Sequence, residues 1–544
     1  MSLAALAATL VSALFPGKAD AAGSADAVAV QYHFAGAADL AGNTNFDRAK
    51  RIFSLPPASR FQDLVLDRLA GVFGNALQFG PGADSAALLR PMLNDLAQAE
   101  STGSFGGRNK NWMDFVLAAR LDAIKAAAWQ KNLETALQGK GEPLTAEGFS
   151  GRRWDRPGNN ALWILRARDW VVAGRGEDLA GVRAAYLQNI KRDNRPAPAA
   201  RETWLSADVD WPLLASWAPL SRCPFKLART IVDVTAESGR FHATARVFYP
   251  QAVSWQSQPW RIPKELVGGP LSSFMAARDP APYLRLDESL LRLNGNPLTN
   301  QLYGWALREM ALQSYAAWPV ADATNTLRKL GPEAPPVLNP ILEARGHTRL
   351  VWTPKTDWIS WIGIPLTAPT VEPVRDASGD FLMAKLFPLQ KKHDPPSNQL
   401  WSQFQGRTDL VYYDWELTGL RLTQWRLLTE MLPVIPPPTR EDAARRQRTA
   451  QNARPAVKGS SPPVPLAVTE TWLSELAPAL GNTVTEVSWK SPTELTVARN
   501  SPFLFTGLEL VVLSHWLADA PVGPIDYTLL PRAKMSGPGL PVSR

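Results

Sequence analysis

Short runs of β-branched and aromatic residues that pass directly into helical periodicity recur along this chain, and Asp409 to Met431 shows the unit most plainly. Leu410 to Trp415 has the composition of a largely buried strand. Thr418 is placed to cap a helix. Leu417, Leu420, Leu427, Leu428 and Met431 then fall at spacings of three and four, so one helical face is expected to pack back on the strand. Earlier, Ala27 to Phe34 reads as the first strand, followed by helical segments through residue 99. Gly103 to Gly107 breaks that pattern and reads as a flexible turn. Trp112 to Arg120 is the next expected strand and Asp122 to Gln138 the next helix, with Trp129, Leu133, Ala136 and Leu137 on one stripe.

Hairpins are expected between these units. In Thr230 to Phe248, Glu237-Ser-Gly-Arg240 makes a tight turn, and Phe241, Ala243, Ala245 and Val247 alternate with His242, Thr244 and Arg246. Leu162 to Ala173, Leu350 to Ile364 and Thr483 to Val497 read the same way. Tyr303 to Trp318 is expected to be a central helix leading through Pro319 and Pro332 to another sheet, and Thr469 to Leu480 a short helix. Thr506 with Glu509 forms a capping-box pattern for a last helix ending near Leu517.

Degenerate repetition runs through these segments. Asp114 precedes Trp129 by 15 residues and Asp409 precedes Trp425 by 16. Phe274 to Arg278 before Asp279-Pro280 echoes Phe115 to Arg120 before Leu121-Asp122, with Pro280 suited to a first helical turn. Trp204 to Asp208 before Asp210-Trp211-Pro212 has the same form. About five such units give an α+β fold of tandem modules, each an antiparallel sheet with helices packed on one face. The expected divisions are a signal peptide at 1–21, a first module at 22–200, and second and third modules within 201–435 that meet near 300–345. A Pro/Arg-rich linker or insertion follows at 436–465, a helix-hairpin-helix at 466–530 and a flexible tail at 531–544.

With 544 residues, 45% hydrophobic and 20% charged, the composition is that of folded protein with sizeable cores. The 21 tryptophans read first as core anchors whose indole N–H groups need partners, and alternatively as platforms for sugars. Half of the net charge of +8 lies in residues 440–458, where six basic residues face Glu441 and Asp442, so no basic face for nucleic acid is visible. Leu3 to Phe15 is an apolar run of 13 residues, short for a membrane span and right for a signal-peptide core, and Ala19-Asp20-Ala21 is an A-x-A cleavage pattern. No other apolar run approaches 18 residues, so no integral span is expected. The single Cys223 excludes an internal disulfide and multi-cysteine metal sites.

In Trp204-Leu-Ser-Ala-Asp-Val-Asp-Trp-Pro212, Pro259-Trp260 through Arg278, Asp409 to Glu416 and Gly481-Asn-Thr-Val-Thr-Glu486, the chain resembles a family of uncharacterised, exported bacterial proteins, domains of unknown function built from tandem strand-helix modules. The resemblance covers most of residues 25–520. It implies a periplasmic or outer-envelope location and α+β modules, and no catalytic residue. The basic insert at 440–458 is extra to that pattern.

Among chemistry-bearing groups, Asp414 and Glu416 form the best carboxylate pair. Two apart on a strand, they share one face at roughly 7 Å, with Tyr413 and Trp415 on the other. That spacing suits acid/base work on a glycosidic bond, and equally a polar strand edge or a helix-entry cap. His33, His242, His347, His393 and His515 form no i, i+4 pair, and the HExxH, GxSxG and P-loop patterns do not occur. His515 falls on the apolar stripe of Leu508, Val511 and Val512 as a core histidine, and Cys223 before Pro224 reads as a buried or incidental thiol. No cofactor or metal is implied. The leading expectation is a non-enzymatic envelope scaffold or binding protein, with envelope proteins, a glycan or a lipid as partners. The alternatives are a carbohydrate-active enzyme using Asp414 and Glu416, which needs a cleft at that pair, and a carrier of an apolar ligand, which needs a large apolar cavity.

Overall fold

The computed structural model describes residues 27–77, 84–107, 114–156, 160–197, 203–217, 226, 228–255, 257–279, 300–309, 313–346, 348–364, 367–387, 396, 398–431 and 464–518. The expected signal segment, Cys223, Pro280, His347, His393, the basic insert and the tail lie outside these residues.

In the first half, β1 (Val28–Phe34) leads into α1 (Ala37–Gly42), α2 (Asp47–Phe53), α3 (Pro56–Ala76) and α4 (Ser85–Gln98). Strands β2 (Ser101–Gly106) and β3 (Asp114–Arg120) precede α5 (Ala123–Ala136). A meander follows: β4 (Glu142–Ala146), β5 (Phe149–Trp154), β6 (Leu162–Ala167) and β7 (Trp170–Arg175). Then come α6 (Ala180–Asp193), β8 (Leu205–Val209), α7 (Trp211–Trp217), β9 (Arg229–Glu237) and β10 (Arg240–Phe248).

The second half opens with β11 (Leu271–Arg278), β12 (Gln301–Leu307), β13 (Ser314–Val320) and α8 (Ala323–Gly346). Its meander is β14 (Arg349–Thr353), β15 (Trp358–Ile362), β16 (Thr370–Asp376) and β17 (Gly379–Lys385). It ends with α9 (Asn398–Ser402), β18 (Leu410–Leu417), α10 (Thr418–Met431), α11 (Leu466–Leu476), β19 (Asn482–Ser491), β20 (Glu494–Ser501) and α12 (Gly507–Leu517).

The described strands form one antiparallel sheet. From one edge its first ten strands run β4-β5-β6-β7-β3-β2-β1-β8-β9-β10. From the other edge the order is β14-β15-β16-β17-β13-β12-β11-β18-β19-β20. Adding ten to each number in the first series gives the second, and β10 pairs with β20 at the centre, from Phe241 opposite Ser501 to Phe248 opposite Glu494. Local detail follows the same correspondence. Both β1·β2 and β11·β12 carry a register shift at the start, between Val28 and Val30 in one and Leu271 and Ser273 in the other. Gly103 opposite Tyr32 on β1 occupies the place that Gly304 opposite Met275 occupies on β11. The sheet is continuous across the expected divisions near 200 and 300–345, since β8 pairs β1 and β18 pairs β11.

Helices cover both faces of the sheet, which corrects the expectation of one covered face. On β3, Phe115, Leu117 and Ala119 pack toward Trp129 and Leu133 of α5. The alternate residues Val116 and Ala118 pack toward Tyr186, Leu187 and Ile190 of α6. With a side-chain period of two and an apolar residue at nearly every position, such a strand is buried on both sides.

Two local expectations also change. Gly103 to Gly107 is not a flexible turn: Ser101–Gly106 is the buried strand β2. A Cβ at Gly103 would lie 2.5 Å from the Tyr32 ring, so glycine there marks a close approach of neighbouring strands. Tyr303 to Trp318 is not a helix but most of the hairpin β12–β13, in which buried Tyr303 and Trp305 alternate with half-buried Leu302 and Gly304. Pro319 lies past the β12 ladder, which ends at Ala317, so its missing N–H costs no bond on that side. The helix is instead α8, which runs through Pro332, Pro335, Pro336 and Pro340 and seats Leu327 and Ala334 on the sheet.

Candidate functional site

Strand β18 presents Tyr413 and Trp415 to an aromatic core with Phe274, Tyr303, Trp305, Phe381, Trp401 and Phe404. Its alternate residues Asp414 and Glu416 face the opposite side, beneath α10 and α12. Glu416 is only 4% exposed, and its Oε1 accepts the backbone N–H of Gly507 at 2.8 Å, the first residue of α12. A carboxylate there satisfies one of the orphan donors of a helix start. The two helices meet closely at this point, because a Cβ on Gly507 would lie 2.5 Å from the backbone nitrogen of Leu422.

The buried side of α10 is polar, and this overturns the expected stripe: Leu427 is 43% exposed, while Thr418, Arg421, Leu422, Gln424 and Thr429 are buried. Arg421 Nη1 donates to Gln424 Oε1 at 2.7 Å, and Gln424 Nε2 donates to the carbonyl of Leu307 at 2.7 Å. The Thr418 hydroxyl bonds Thr483 at 2.7 Å, and Thr483 bonds Ser501 at 2.9 Å. Arg499 bonds Thr485 at 3.0 Å and pairs with Glu509 at 2.9 Å, while Glu509 and Thr506 complete the expected capping box.

Burial, and then the neighbouring Asp414 charge, push the Glu416 carboxyl up to about 7, against the opposing pull of the Gly507 N–H and Arg421. Burial pushes Asp414 up to about 6, opposed by Arg499 and Arg421. Burial lowers the Arg421 guanidinium. Three carboxyls (Asp414, Glu416, Glu509) thus share a layer with two guanidiniums (Arg421, Arg499), and burial favours a proton held on the Asp414–Glu416 pair.

A separate cleft of about 1040 Å³ opens on the other face of the second half. It forms where residues 253–255 and 257–265, the β16–β17 turn, the 401–408 segment and the start of the β19–β20 turn converge. Tryptophans 255, 260, 401 and 489, with Phe404, line it, and so do Arg278, Arg407, Glu265, Asp376 and Ser257. Arg278 is 2% exposed; it donates to the carbonyls of Gln258 at 3.0 Å, Thr408 at 2.8 Å and Leu410 at 2.5 Å, with its guanidinium 4.6 Å above the Trp260 ring. It therefore ties three segments of the cleft together. Glu265 and Asp376 are engaged by backbone: Ala377 N–H donates to Glu265 at 3.2 Å, and the N–H groups of Glu265 and Ser378 donate to Asp376 at 2.8 and 2.7 Å. Arg407 reaches Asp409 at 3.3 Å and Glu486 at 3.2 Å. Among the described residues, the indole N–H groups of Trp260 and Trp489, the Arg278 Nε–H and the Ser257 hydroxyl are buried from solvent with no hydrogen-bond partner.

Asp414 and Glu416 do not line this cleft. The sequence reading found the acid pair and missed the cleft, whose signal was Trp260 and Arg278 flanking an apolar stretch, with Trp401 and Trp489 far away along the chain. Of the histidines, His33 Nε2 lies 3.3 Å from Glu100, whose carboxyl that contact holds below its usual range. His242 is half-buried on β10, and His515 is buried on α12. Among the described residues no group of three metal-ligating side chains assembles, and no helix is long and apolar enough to cross a membrane. No family model matches the chain, and comparison with curated proteins and with solved structures gives no match.

Proposed function

We propose that this is a non-enzymatic binding protein of the cell envelope: two copies of one ten-strand unit joined at β10·β20, with the ligand cleft carried by the second copy. The matching strand order, bulges and glycine positions support the duplication. In register, Asp414 and Glu416 correspond to Ala207 and Val209, both buried and apolar. The acid layer is therefore an addition to the same framework, and its bonds to the start of α12 give it a part in seating that helix. The 13-residue apolar run before Ala19-Asp20-Ala21 supports export.

The observation that carries the binding reading is the contrast between the two polar sites. Glu416 is met by a backbone N–H beneath two helices, whereas Trp260, Trp401, Trp489 and Phe404 line an open cleft of about 1040 Å³. Native mass spectrometry of the protein purified from its envelope fraction tests this: a retained small ligand is expected in wild type and in Asp414→Asn/Glu416→Gln. A ligand turned over by wild type and accumulated only by the double variant would overturn the non-enzymatic reading.

A further inference from the structure

We infer that Asn339 closes the outer edge of β14, a self-complementary pairing surface whose partner is a second copy of this chain. Among the described residues β14 pairs with β15 alone, so it ends the sheet. Antiparallel strands turn the N–H and C=O of alternate residues toward and away from a given neighbour. Trp361 donates its N–H to the carbonyl of Pro369, on the β16 side of β15. Leu350 opposite it therefore turns both backbone groups outward, and Trp352, two residues on, does the same. An edge of this kind is a template for further strands. Here α8 lies along it, and Asn339 meets Leu350 as a neighbouring strand would. Its Oδ1 accepts the Leu350 N–H at 2.6 Å, and its Nδ2 donates to the Leu350 carbonyl at 3.0 Å. A primary amide thus supplies the donor and acceptor of a peptide unit, with no chain behind it to continue the ladder.

The opposite end of the sheet is closed by other means. The two-residue turn Glu147-Gly148, with positive φ at both positions, makes Ala146 and Phe149 a bonded pair. Thr145 and Pro143 then face outward, and Pro143 has no N–H to offer. Strands β4 and β14 hold equivalent places in the strand order, so the same edge is closed twice, by a proline in one half and by Asn339 in the other. The occupant that Asn339 excludes follows from register. Two β14 strands satisfy the outward groups of Leu350 and Trp352 together when they run antiparallel with Leu350 of each opposite Trp352 of the other. That pairing is isologous, with the two Val351 residues face to face on the twofold axis. No like charges meet in it, because Arg349 of each copy stands opposite Thr353 of the other.

The test uses the full chain with Cys223→Ser and Val351→Cys as parent. In the register above, the two introduced thiols stand in a non-bonded pair with Cα atoms ~4.5 Å apart, within the span of a disulfide. Asn339→Ala or Asn339→Ser is then added to remove the amide. Far-ultraviolet spectra and unfolding midpoints establish folding, and light scattering follows mass across a range of concentration. The opened variants are expected to rise to about twice the parent's mass and to form an intermolecular disulfide on mild oxidation, while the parent does neither. Thr353→Lys added to Asn339→Ala sets a lysine against Arg349 of the other copy and is expected to abolish both effects. Folded variants that keep the parent's mass would overturn the inference, as would a dimer that forms no disulfide or a parent that cross-links with Asn339 in place. Loss of folding in both Asn339 variants would overturn it as well, by making Asn339 a requirement of the fold rather than a guard of its edge.

Discussion

Replacing Glu416 by Gln isolates the cost of a buried charge. The carboxyl stands near 7 in the folded chain against 4.5 for the ordinary group, and each unit is worth about 1.4 kcal/mol. Full ionisation of Glu416 therefore lowers stability by about 3 kcal/mol. The protons leave the Asp414–Glu416 pair in coupled steps, so that figure belongs partly to the pair. Because the folded pKa is raised, the folded chain holds a proton that the unfolded chain has lost between pH 4.5 and 7. This contribution is complete below about pH 4.5 and is lost as pH rises through about 7. Glutamine keeps the shape and an oxygen for the Gly507 N–H, and it does not ionise. Urea unfolding of wild type and Glu416→Gln at pH 5, 7 and 8.5, followed by tryptophan fluorescence, should give near-equal stability at pH 5. By pH 8.5 the variant should gain about 2–3 kcal/mol relative to wild type. A difference that does not change with pH, or one that moves against the variant as pH rises, would refute the account of Glu416 as a buried, partly protonated acid.

Other consequences follow from close packing and pairing. Gly507→Ala pushes a methyl against the Leu422 backbone and should cost about 1–3 kcal/mol in a denaturant melt, whereas Gly71→Ala on α3, with nothing within 4 Å of the added carbon and no positive φ, should show no loss. Lys385, 3% exposed, pairs with buried Glu372 across β17 and β16. Lys385→Met alone should cost about 3–5 kcal/mol, and Glu372→Leu added to it should restore most of that; equal losses in the single and double variants would remove the pair from consideration. Thr506→Ala breaks the capping box of α12 and should lower stability by about 0.5–2 kcal/mol, with faster amide exchange in Gly507 to Glu509 as the local signature.

What the residue pattern revealed, and what it hid, divides along physical lines. Local periodicity was enough for β1, β3, α5, the β9–β10 hairpin and the capped α12, because each is settled by its own alternation, stripe or cap. The helix expected over Tyr303 to Trp318 failed where apolar residues satisfy both periods, and cross-strand partners such as Tyr315 opposite Trp305 and Lys385 decide. On α10 the apolar stripe was a poor guide, because the layer beneath it is polar: Arg421 and Gln424 go inward to meet β18 and Leu307, and Leu427 is left outside. The opposite faces of Asp414/Glu416 and Tyr413/Trp415 were legible from strand alternation alone. The cleft was not, since its lining residues come from segments up to about 230 residues apart and only the sheet order brings them together.

The pairing of β10 with β20 has a consequence for how the chain is made. Phe248 ends β10 and Glu494 begins its partner, so during synthesis at ~5–20 residues per second the ribosome takes on the order of 10–50 s to deliver the strand that covers it. Through that interval the nascent protein displays an uncovered strand of nine residues, a template for any other extended segment nearby. Messages truncated before β20 should therefore yield self-associating fragments, and a chaperone that shields extended chain has its window here.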